Sequence, residues 1–529
     1  MKIHTEMPKA VIILLSMLFL FPSCKNAVDE NETPVNSAYL KNTPLAVDPG
    51  LFENSTASVK DFYTGNGAKT AWINTTDRKA LLSVIKDAAS DGLQPKDYSL
   101  DTLEKFEALT TITKEECVQY DILLTESFTK LATHLFKGKL MPRSMYKDWA
   151  LAPKKLDANK LLTEALQNHD PAEVLGRCRP KHPIYAGLRK SLKYLNELPD
   201  DSDIGEIAFE KPLKLNDSGA VVATIKQRLT YWGDLSAKDA KDGEYNKATA
   251  KAIKKFQQRH GIYATGVVDS RTAEALNIKR DERKTQIVAN LERWRWFPYD
   301  FGEQAIIVNI PAYQLTIVEN NKDTLDTYKV IVGKPDRKSP ILYSSINQLV
   351  INPTWTIPPT YLVKDLTPAA IKDTAHFSHL NIKIFRGKNE VPVAKWDSLK
   401  PNHYVYIQSP GNHNSLGRIK FNFRNGYSVY LHDTNHREYF KKNDRALSSG
   451  CVRVEDPFRL AEYVLHDDKN TDRKKLDEMV ATGETQFLGL KKTTPIHQLY
   501  WTAWMDRGGL QFRNDIYNLD KALYDKLRK

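Results

Sequence analysis

Residues 427–456 read YSVYLHDTNHREYFKKNDRALSSGCVRVED, and this stretch decides the fold expected for the C-terminal half of the chain. Apolar and polar residues alternate over 427–432, which predicts a strand with Tyr430 and His432 on the same face. The same alternation occurs at 305–310 (AIIVNI) and at 418–423 (RIKFNF). The sequence therefore predicts a β-rich domain in this half.

A candidate nucleophile follows the predicted strand after the 15 residues 433–447, within the run Ser448-Ser449-Gly450-Cys451-Val452-Arg453. A thiol has an ordinary pKa near 8.5, so Cys451 needs a neighbouring imidazole, such as His432, to provide a thiolate at neutral pH. Gly450 permits a tight turn in which backbone N–H groups point at a developing oxyanion. Arg453 could hold a substrate carboxylate through two hydrogen bonds.

Two other interpretations fit the same residues. In the first, His432 is a satisfied core histidine and Cys451 a small inert apolar residue. In the second, the cluster is a zinc site; its candidate ligands are His432, Asp433, His436, Cys451, His403 and His413. The zinc interpretation is the weaker, because His432 and His436 share a face only in a helix and this segment ends a strand.

The composition is that of a folded protein with several domains. The chain has 529 residues with 41% apolar, 10% aromatic and 27% charged residues, which excludes disorder, collagen or coiled coil as a description of the whole. The net charge of +12 favours anionic surroundings without naming a partner. Four cysteines are too few for a disulfide framework in a chain of this length.

The first residues resemble an export signal. Lys2 and Lys9 precede the apolar residues 10–21, which span about 18 Å as a helix, less than the roughly 30 Å of a hydrocarbon core. Cys24 after Ser23 resembles a lipoprotein lipobox, which implies cleavage before Cys24 and lipidation of its thiol. The alternative is a plain secreted protein. Residues 24–55, with several prolines and few large apolar residues, are predicted to form a tether.

Helical periodicity dominates the part of the chain from 56 to 279. Residues 56–210 are predicted to form a helical scaffold domain, in which Cys117 and Cys178 are buried thiols or, less plausibly, a disulfide. Residues 211–279 predict three short helices, the first capped by Asp217 or Ser218, the second stopped by Gly261 and the third capped by Asp269. This segment resembles the type 1 peptidoglycan-binding domain, although any small helical bundle would show the same periodicity.

A wider set of motifs resembles the L,D-transpeptidase (YkuD) catalytic domain of the large YcbB-like branch. They are Asn290–Trp296, Val308–Pro311, Asn352-Pro353-Thr354-Trp355, Leu416-Gly417, Lys420-Phe421, Tyr430–Thr434 and Ser448–Arg453. The resemblance implies an α+β multidomain fold: a helical scaffold, a three-helix module and a mostly-β catalytic domain over 280–490. It also implies a helical capping insert over 356–405, and residues 491–529 then form an extension packed on the core.

The resemblance implies a mechanism and a set of site residues. Cys451 attacks the stem-peptide carbonyl of meso-diaminopimelate, expels D-alanine, and passes the acyl group to an amine of another stem as a 3→3 crosslink. His432 is the base, Gly450 and Cys451 give the oxyanion amides, and Ser448 or Ser449 orients His432. The substrate-binding residues implied are Arg453, Tyr430, Asn352, Trp355 and Gly417. No cofactor, metal or nucleic acid is implied.

Location and partners follow from the same resemblance. The expected location is the periplasm, with a lipid anchor in a membrane, expected to be the outer one. The expected partners are peptidoglycan tetrapeptide stems, as donor and acceptor, and the membrane that holds the anchor. Two alternative functions stay open: a hydrolase that cuts stems, and a non-catalytic peptidoglycan-binding lipoprotein.

Overall fold

The computed structural model describes residues 35–146, 149, 151–298, 301–320, 323–467 and 471–529. The predicted signal peptide, 1–23, and the lipidation site Cys24 lie outside these residues. Within them, no helix is both long and apolar enough to cross a bilayer.

The N-terminal domain is helical, as predicted. It contains a small strand pair, β1 (Val35–Asn36) with β2 (Thr111–Ile112). Its helices are α1 (Ser37–Lys41), α2 (Ala57–Gly65), α3 (Thr75–Asp87), α4 (Leu100–Ala108), α5 (Lys114–Lys137), α6 (Pro142–Met145), α7 (Ala158–Gln167), α8 (Pro171–Arg177) and α9 (Pro183–Glu197). The long central α5 begins at a capping box, in which Thr113 and Glu116 satisfy each other's backbone N–H groups.

The tether prediction is wrong for residues 35–55. Val47 and Phe52 are buried in the same core as α5, and Leu40 packs with Ile112 and Cys117 in a smaller cluster. A few well-spaced apolar residues anchor this segment although its overall composition is polar. The rest of the predicted tether, residues 24–34, lies outside the described residues.

Cys117 and Cys178 are both free and buried, which confirms the interpretation as buried thiols. Each thiol donates to a nearby carbonyl, Cys117 Sγ to Leu40 O at 3.4 Å and Cys178 Sγ to Val174 O at 3.5 Å.

The predicted three-helix module consists of α10 (Ala220–Tyr231), α11 (Lys247–Arg259) and α12 (Ser270–Asn277) around its own small core. Gly261 follows α11 with φ +67° and Asp269 caps α12, as predicted. The cap predicted for the first helix is wrong: Gly219 occupies that position, and Asp217 Oδ2 accepts from Lys214 N instead.

Helix α13 (Arg280–Trp296) connects the domains and is buried along most of its length. Its arginines are paired inside the protein: Arg293 Nη1 donates to Asp520 Oδ1 at 2.5 Å, and Arg295 Nη2 donates to Glu292 Oε2 at 2.5 Å. These pairs tie α13 to the C-terminal residues and to its own preceding turn, because an unpaired buried charge is very costly.

The C-terminal half contains a nine-stranded sheet, which confirms the predicted mostly-β domain. The strands run in the order β13-β5-β14-β12-β11-β6-β15-β3-β4, and β4 also pairs with β5, which closes the sheet on itself. The bounds are β3 (Gln304–Asn309), β4 (Gln314–Glu319), β5 (Asp323–Gly333), β6 (Leu342–Ile351), β11 (Ile419–Phe423), β12 (Leu431–His432), β13 (Ala446–Ser448), β14 (Val452–Val454) and β15 (Gln486–Leu499).

Two helices accompany this sheet, α17 (Pro457–Val464) and α18 (Arg473–Ala481). Asp456 caps α17 and Pro457 occupies its first position, as the sequence predicts. Strand β15 lies between β6 and β3, so the sheet extends beyond the predicted domain end at 490.

The insert between β6 and β11 has its own core and contains strands as well as helices. A second sheet has the order β7-β10-β8-β9, and residues such as Leu366, Phe377 and Tyr406 are buried together. The elements are β7 (Trp355–Thr356), α14 (Pro359–Tyr361), a π-helical turn (Leu362–Leu366), α15 (Thr367–Lys372), α16 (His376–His379), β8 (Ile382–Arg386), β9 (Asn389–Val391) and β10 (Val405–Gln408).

The chain ends with a hairpin, β16 (Ala503–Asp506) and β17 (Gly509–Phe512), and with α19 (Asp520–Leu527). Trp501 is buried and stacks on Trp294 of α13 at 4.6 Å between ring centroids. The hydroxyl of Tyr517 donates to Gly333 O at 2.7 Å and accepts from Ser339 N at 3.1 Å. The extension is packed on the core, as predicted.

The Arg293–Asp520 pair predicts a large loss of stability when one partner is removed. We expect Asp520→Ala to lower the free energy of unfolding by about 3 to 5 kcal/mol, because Arg293 stays buried with its charge uncompensated. Asp525→Ala on the same helix removes a partner of the exposed Lys521 and is the matched control, with little expected change. Urea denaturation followed by tryptophan fluorescence measures both; equal midpoints for the two variants would contradict the prediction.

Candidate active site

The predicted nucleophile and base lie on one face of the sheet. Strand β12 pairs in parallel with β14, with Leu431 opposite Val452 and His432 opposite Arg453. Val452 N donates to Tyr430 O at 3.2 Å, so Cys451 is the neighbour of Tyr430. Because Leu431 and Val452 are fully buried on the inner side, their sequence neighbours face outward. The outer face therefore carries Cys451, Arg453, Tyr430 and His432 together.

Gly450 forms the turn that presents Cys451, with φ +115°, a conformation that L-residues rarely adopt. The turn is fixed by side chains: Ser448 Oγ donates to Cys451 O at 2.6 Å, and Ser339 Oγ donates to Gly450 O at 2.7 Å. Gly450 N donates to Ser448 Oγ at 3.2 Å. The predicted oxyanion donor at Gly450 is thus already engaged, and it serves a substrate only by exchanging this bond.

Cys451 is partly buried, and burial raises the pKa of its thiol. Hydrogen bonds from the backbone N–H and hydroxyl of Tyr430 act in the opposite direction, as do the positive charges of Lys420 and Arg453. The burial effect is the largest. The resting sulfur is therefore a thiol held among groups that stabilise a thiolate once one forms.

His432 is buried, and its ring is oriented by backbone carbonyls. Nδ1 lies 2.5 Å from Asp433 O, and the ring also hydrogen bonds the carbonyl of Leu416. The pKa of His432 is lowered to about 3, chiefly by burial and also by the charges of Arg453 and Lys420, and the two backbone hydrogen bonds only partly oppose this shift. Among the described residues, no hydrogen bond joins this ring to Cys451. The resting pair is a neutral imidazole and a thiol on the same face, not a bonded ion pair.

The hydroxyls of Ser448 and Ser449, which were predicted to orient His432, are bonded to other groups. The Ser448 hydroxyl is used inside the catalytic turn. Ser449 is exposed, and its Oγ accepts from Arg337 Nη1 at 3.0 Å. The carbonyls that orient His432 belong to residues that adjoin it along and across the strands, so no side-chain motif could reveal them.

A cleft of about 450 Å³ lies next to the nucleophile: its lining includes Ser428 and Tyr430, which both contact Cys451, although Cys451 and His432 are not among its lining residues. The outer face of the sheet forms the floor of the cleft, and the start of the insert forms one wall. It is lined by Val350, 353–359, Leu416, Lys420, Asn422, Ser428, Tyr430, Thr485 and Phe487. Trp355 and Tyr430 both line it, as expected for substrate-binding residues, and their side chains hydrogen bond each other.

Arg453 lies on β14, two residues after Cys451 and opposite His432, and Lys420 lies on the other side of His432, on β11. Its Nη1 donates to Thr434 Oγ1 at 3.4 Å, and its Nε is buried without an acceptor among the described residues. Burial lowers the pKa of Arg453, while the Cys451 sulfur raises it. A guanidinium with an unused donor beside the nucleophile fits the predicted contact with a substrate carboxylate.

Asn352 and Gly417, which were predicted to bind substrate, do not line this cleft. Asn352 is fully buried, and its Nδ2 donates to Val480 O at 3.1 Å. A Cβ on Gly417 would lie 2.3 Å from Asp433 Oδ2, so glycine is required here for packing. Both predictions took motif membership as a sign of substrate contact, whereas these residues hold loops in place.

Three residues near the site were missed. Lys420 is paired with His432 across β11 and β12, and its Nζ lies 4.0 Å from the centroid of the Tyr430 ring. Arg337 bonds Ser449 and forms an ion pair with Asp365 of the insert. Asp433 accepts from Arg418 N at 2.9 Å and from Arg437 Nη2 at 2.7 Å. The alternation of polar and apolar residues over 418–423 already predicts that Lys420 faces outward, but its place next to His432 follows only from the strand order.

The zinc interpretation has no ligand cluster in the described part of the chain. There, no group of three or more His, Cys, Asp or Glu side chains is arranged to hold a metal ion. His436 is exposed and pairs with Glu438 at 3.1 Å.

Three family models match separate parts of the chain. Residues 57–192 match the Scaffold domain, residues 218–276 match the "Putative peptidoglycan binding domain", and residues 303–493 match the L,D-transpeptidase catalytic domain (YkuD). These matches confirm the resemblances for the module and for the catalytic half. The active-site turn and the cleft described above both lie within 303–493.

A curated protein of Haemophilus influenzae, described as "Putative L,D-transpeptidase", is 32% identical over 241 residues, which are 45% of this chain and 48% of that protein. The chain thus matches about half the length of this relative. Solved L,D-transpeptidases from Xylanimonas cellulosilytica and Stackebrandtia nassauensis are each 16% identical. They cover 56% and 55% of this chain and 100% and 97% of their own, with TM-scores of 0.19 and 0.21. At these TM-scores, the family-model matches alone carry the assignment.

The resting state of the site predicts how Cys451 reacts with pH. Because burial raises the pKa of the thiol and keeps His432 neutral, the thiolate fraction is small at neutral pH and grows as pH rises. We expect alkylation of Cys451 by iodoacetamide to accelerate about tenfold per pH unit from 6 to 8 and to keep rising beyond the ordinary thiol pKa of about 8.5.

Mass spectrometry of the Cys451 peptide measures this rate, with the buried Cys117 and Cys178 as internal controls that react only on unfolding. A rate that stays level from pH 5 to 8 would show a preformed thiolate–imidazolium pair and contradict the prediction.

Proposed function

Since the chain carries an L,D-transpeptidase catalytic domain, we propose that it forms 3→3 crosslinks between peptidoglycan stem peptides through a thioester on Cys451. The observation that carries this proposal is the position of Cys451 on a glycine turn, on the same sheet face as His432 and at the edge of a cleft large enough for a peptide. A nucleophile, a base and a substrate cleft are thus brought to one surface.

In the first half-reaction, Cys451 Sγ attacks the carbonyl carbon of the third stem residue while His432 takes the thiol proton. The bond to the nitrogen of the terminal D-alanine then breaks, and His432 returns the proton to that nitrogen. In the second, an amine of another stem attacks the thioester carbon, the carbon–sulfur bond breaks, and His432 passes the proton that the amine loses to the departing Sγ. One amide is exchanged for another, so no nucleotide or cofactor is consumed.

The negative charge on the carbonyl oxygen needs donors at the turn. Gly450 N becomes one donor if its bond to Ser448 Oγ is exchanged, and Cys451 N is the second donor in this proposal. Each such donor typically contributes about 2.7 to 4 kcal/mol to lowering the barrier. The Ser448 hydroxyl holds the turn in the resting state, when no oxyanion is present.

The insert is proposed to cover the bound stems and keep water from the thioester. It forms one wall of the cleft through residues 353–359. Two ion pairs join it to the loop that supports the catalytic turn: Arg337 with Asp365, and Lys364 with Asp336 at 3.2 Å. Arg337 also bonds Ser449, so closure of the insert is linked directly to the residues around Cys451.

We further propose export to the periplasm and anchoring through lipidated Cys24, in the outer membrane. The support is the basic start, short apolar run and cysteine at residues 1–24. The module at 218–276 is proposed to hold the enzyme on peptidoglycan, in keeping with the family that it matches. An anchor and a wall-binding module would together confine the site to the space where stems are found.

The proposed reaction predicts a specific product pattern. Incubation of the protein with disaccharide-tetrapeptide containing meso-diaminopimelate should yield crosslinked dimer and free D-alanine, detected by mass spectrometry. Cys451→Ala should abolish both, and a carbapenem should add covalently to Cys451 in the wild type alone. Tripeptide without dimer would show a hydrolase instead, and an unchanged substrate would show a non-catalytic binding protein.

The proposed covering role of the insert predicts that a weakened attachment shifts the thioester from crosslinking towards hydrolysis. Asp365→Asn weakens the pair with Arg337, a partly buried interaction expected to contribute about 1 kcal/mol. We expect the ratio of tripeptide to dimer to rise about two- to fivefold, since a more open insert admits water. Glu390→Gln breaks a pair with Lys383 within the insert sheet and should leave the ratio unchanged. Equal ratios in both variants and the wild type would contradict the covering role.

A further inference from the structure

Lys420 is a partly buried cation that lacks an acidic partner. Its side chain lines the cleft, and none of the ion pairs among the described residues includes it. Lys139 and Lys226, by contrast, each bind a carboxylate, Asp97 at 2.7 Å and Asp242 at 2.5 Å. A buried ammonium without a counter-charge is unfavourable, so its presence requires a reason.

The position of Lys420 relative to the nucleophile is fixed by three adjacent strands. On the outer face, Cys451 directly precedes β14, Tyr430 directly precedes β12, which carries His432, and β11 carries Lys420 opposite His432. The ammonium lies over the Tyr430 ring at 4.0 Å from its centroid, which favours a cation at this place. Lys420 therefore lies two strands from Cys451, within the space that a bound stem peptide would occupy.

The nearby groups are suited to an anionic peptide group. Asn422, two residues along the same strand face, is committed to Gln348, to which it donates at 2.8 Å. Thr485 is committed to Asn352 O at 2.7 Å. The cleft walls otherwise contribute apolar and aromatic surface, including Trp355, Ile357 and Phe487. Among the described residues that line the cleft, Lys420 is thus the single positive charge, and its Nζ has donors to offer.

We propose that Lys420 binds a free carboxylate of the donor stem and thereby selects stems whose carboxylate is not amidated. This inference rests on the proposed function. Two carboxylates of the donor flank the scissile amide: that of the terminal D-alanine and that on the side chain of the diamino acid. Both offer the same chemistry to an ammonium, and the experiment below distinguishes them.

Binding of that carboxylate would also act on His432. The charges of Arg453 and Lys420 oppose protonation of this ring. A substrate carboxylate on Lys420 offsets one of these charges, so His432 accepts the thiol proton more readily when the correct stem is bound. Selection and activation would then depend on the same contact.

The experiment compares three donors: disaccharide-tetrapeptide with both carboxylates free, the same donor amidated at the diamino acid, and the same donor amidated at D-alanine. The kcat/KM for total thioester turnover, dimer plus tripeptide, is measured for wild type, Lys420→Gln and Lys420→Arg. Arg424→Gln, which removes an exposed charge just beyond the same strand, is the matched control. Thermal unfolding confirms that each variant is folded.

We expect the wild type to prefer the free acid over one of the two amides by about 10- to 100-fold, the range for one hydrogen bond to a charged group. Lys420→Gln should lose this preference by slowing on the free acid alone, Lys420→Arg should keep part of it, and Arg424→Gln should keep all of it. The amide that the wild type rejects identifies the carboxylate.

Equal slowing of Lys420→Gln on all three donors would overturn the inference, because the charge would then act on the Cys451 sulfur alone. A wild type that turns over all three donors equally would also overturn it while leaving the proposed function intact. A wild type that releases neither dimer nor tripeptide from any donor would instead overturn the proposed function, and the carboxylate site with it.

Discussion

The site depends on the parallel pairing of β12 with β14. Parallel neighbours cannot be joined by a tight turn, so the chain must leave the sheet after His432 and return before Cys451. Residues 433–447 make this crossing, and β13 and the Gly450 turn bring the chain back into register. Without this pairing, Tyr430 would not adjoin Cys451, and the outer face would carry a base and a nucleophile with no common cleft.

The same pairing sets the electrostatics of the site. Arg453 and Lys420 flank His432 from the two neighbouring strands, and both disfavour a second positive charge on the ring. The same two positive charges also favour a negative charge on the Cys451 sulfur. The site is therefore arranged for an anion, whether thiolate, oxyanion or substrate carboxylate, and its resting form is neutral because burial outweighs these attractions. The resting site therefore lacks the negative charge that a bound substrate would supply.

Much of the fold could be predicted from the sequence because its signals are local. Helical periodicity over 56–210, the cap at Asp269 and the alternation around Tyr430 and His432 all depend on neighbours in the chain. The glycine turn before Cys451 could likewise be inferred from residue types. Segments with sparse apolar residues were harder: 35–55 packs on the scaffold through Val47 and Phe52, which composition alone did not reveal.

The detailed roles in the site could not be predicted, because they depend on contacts between distant residues. Asn352 and Gly417 occur in the same motifs as true cleft residues, and only burial separates them. The carbonyls that orient His432 carry no side-chain signature. Lys420 belongs to one of the sequence motifs, but its position opposite His432 follows only from the pairing of β11 with β12.

The supports of the turn and of the cleft differ in strength, and this difference bears on catalysis. The Gly450 turn is held from behind by Ser339, which is bonded in turn to Tyr517 of the C-terminal extension, all within the buried core. The insert is attached by two ion pairs nearer the surface, of which Lys364–Asp336 is exposed and weakened by solvent, while Arg337–Asp365 is only partly buried. A rigid nucleophile under a more weakly held cover allows stems to enter and leave without disturbing the geometry of the attack. Because Arg337 contacts both parts, it is where movement of the cover can be communicated to the turn.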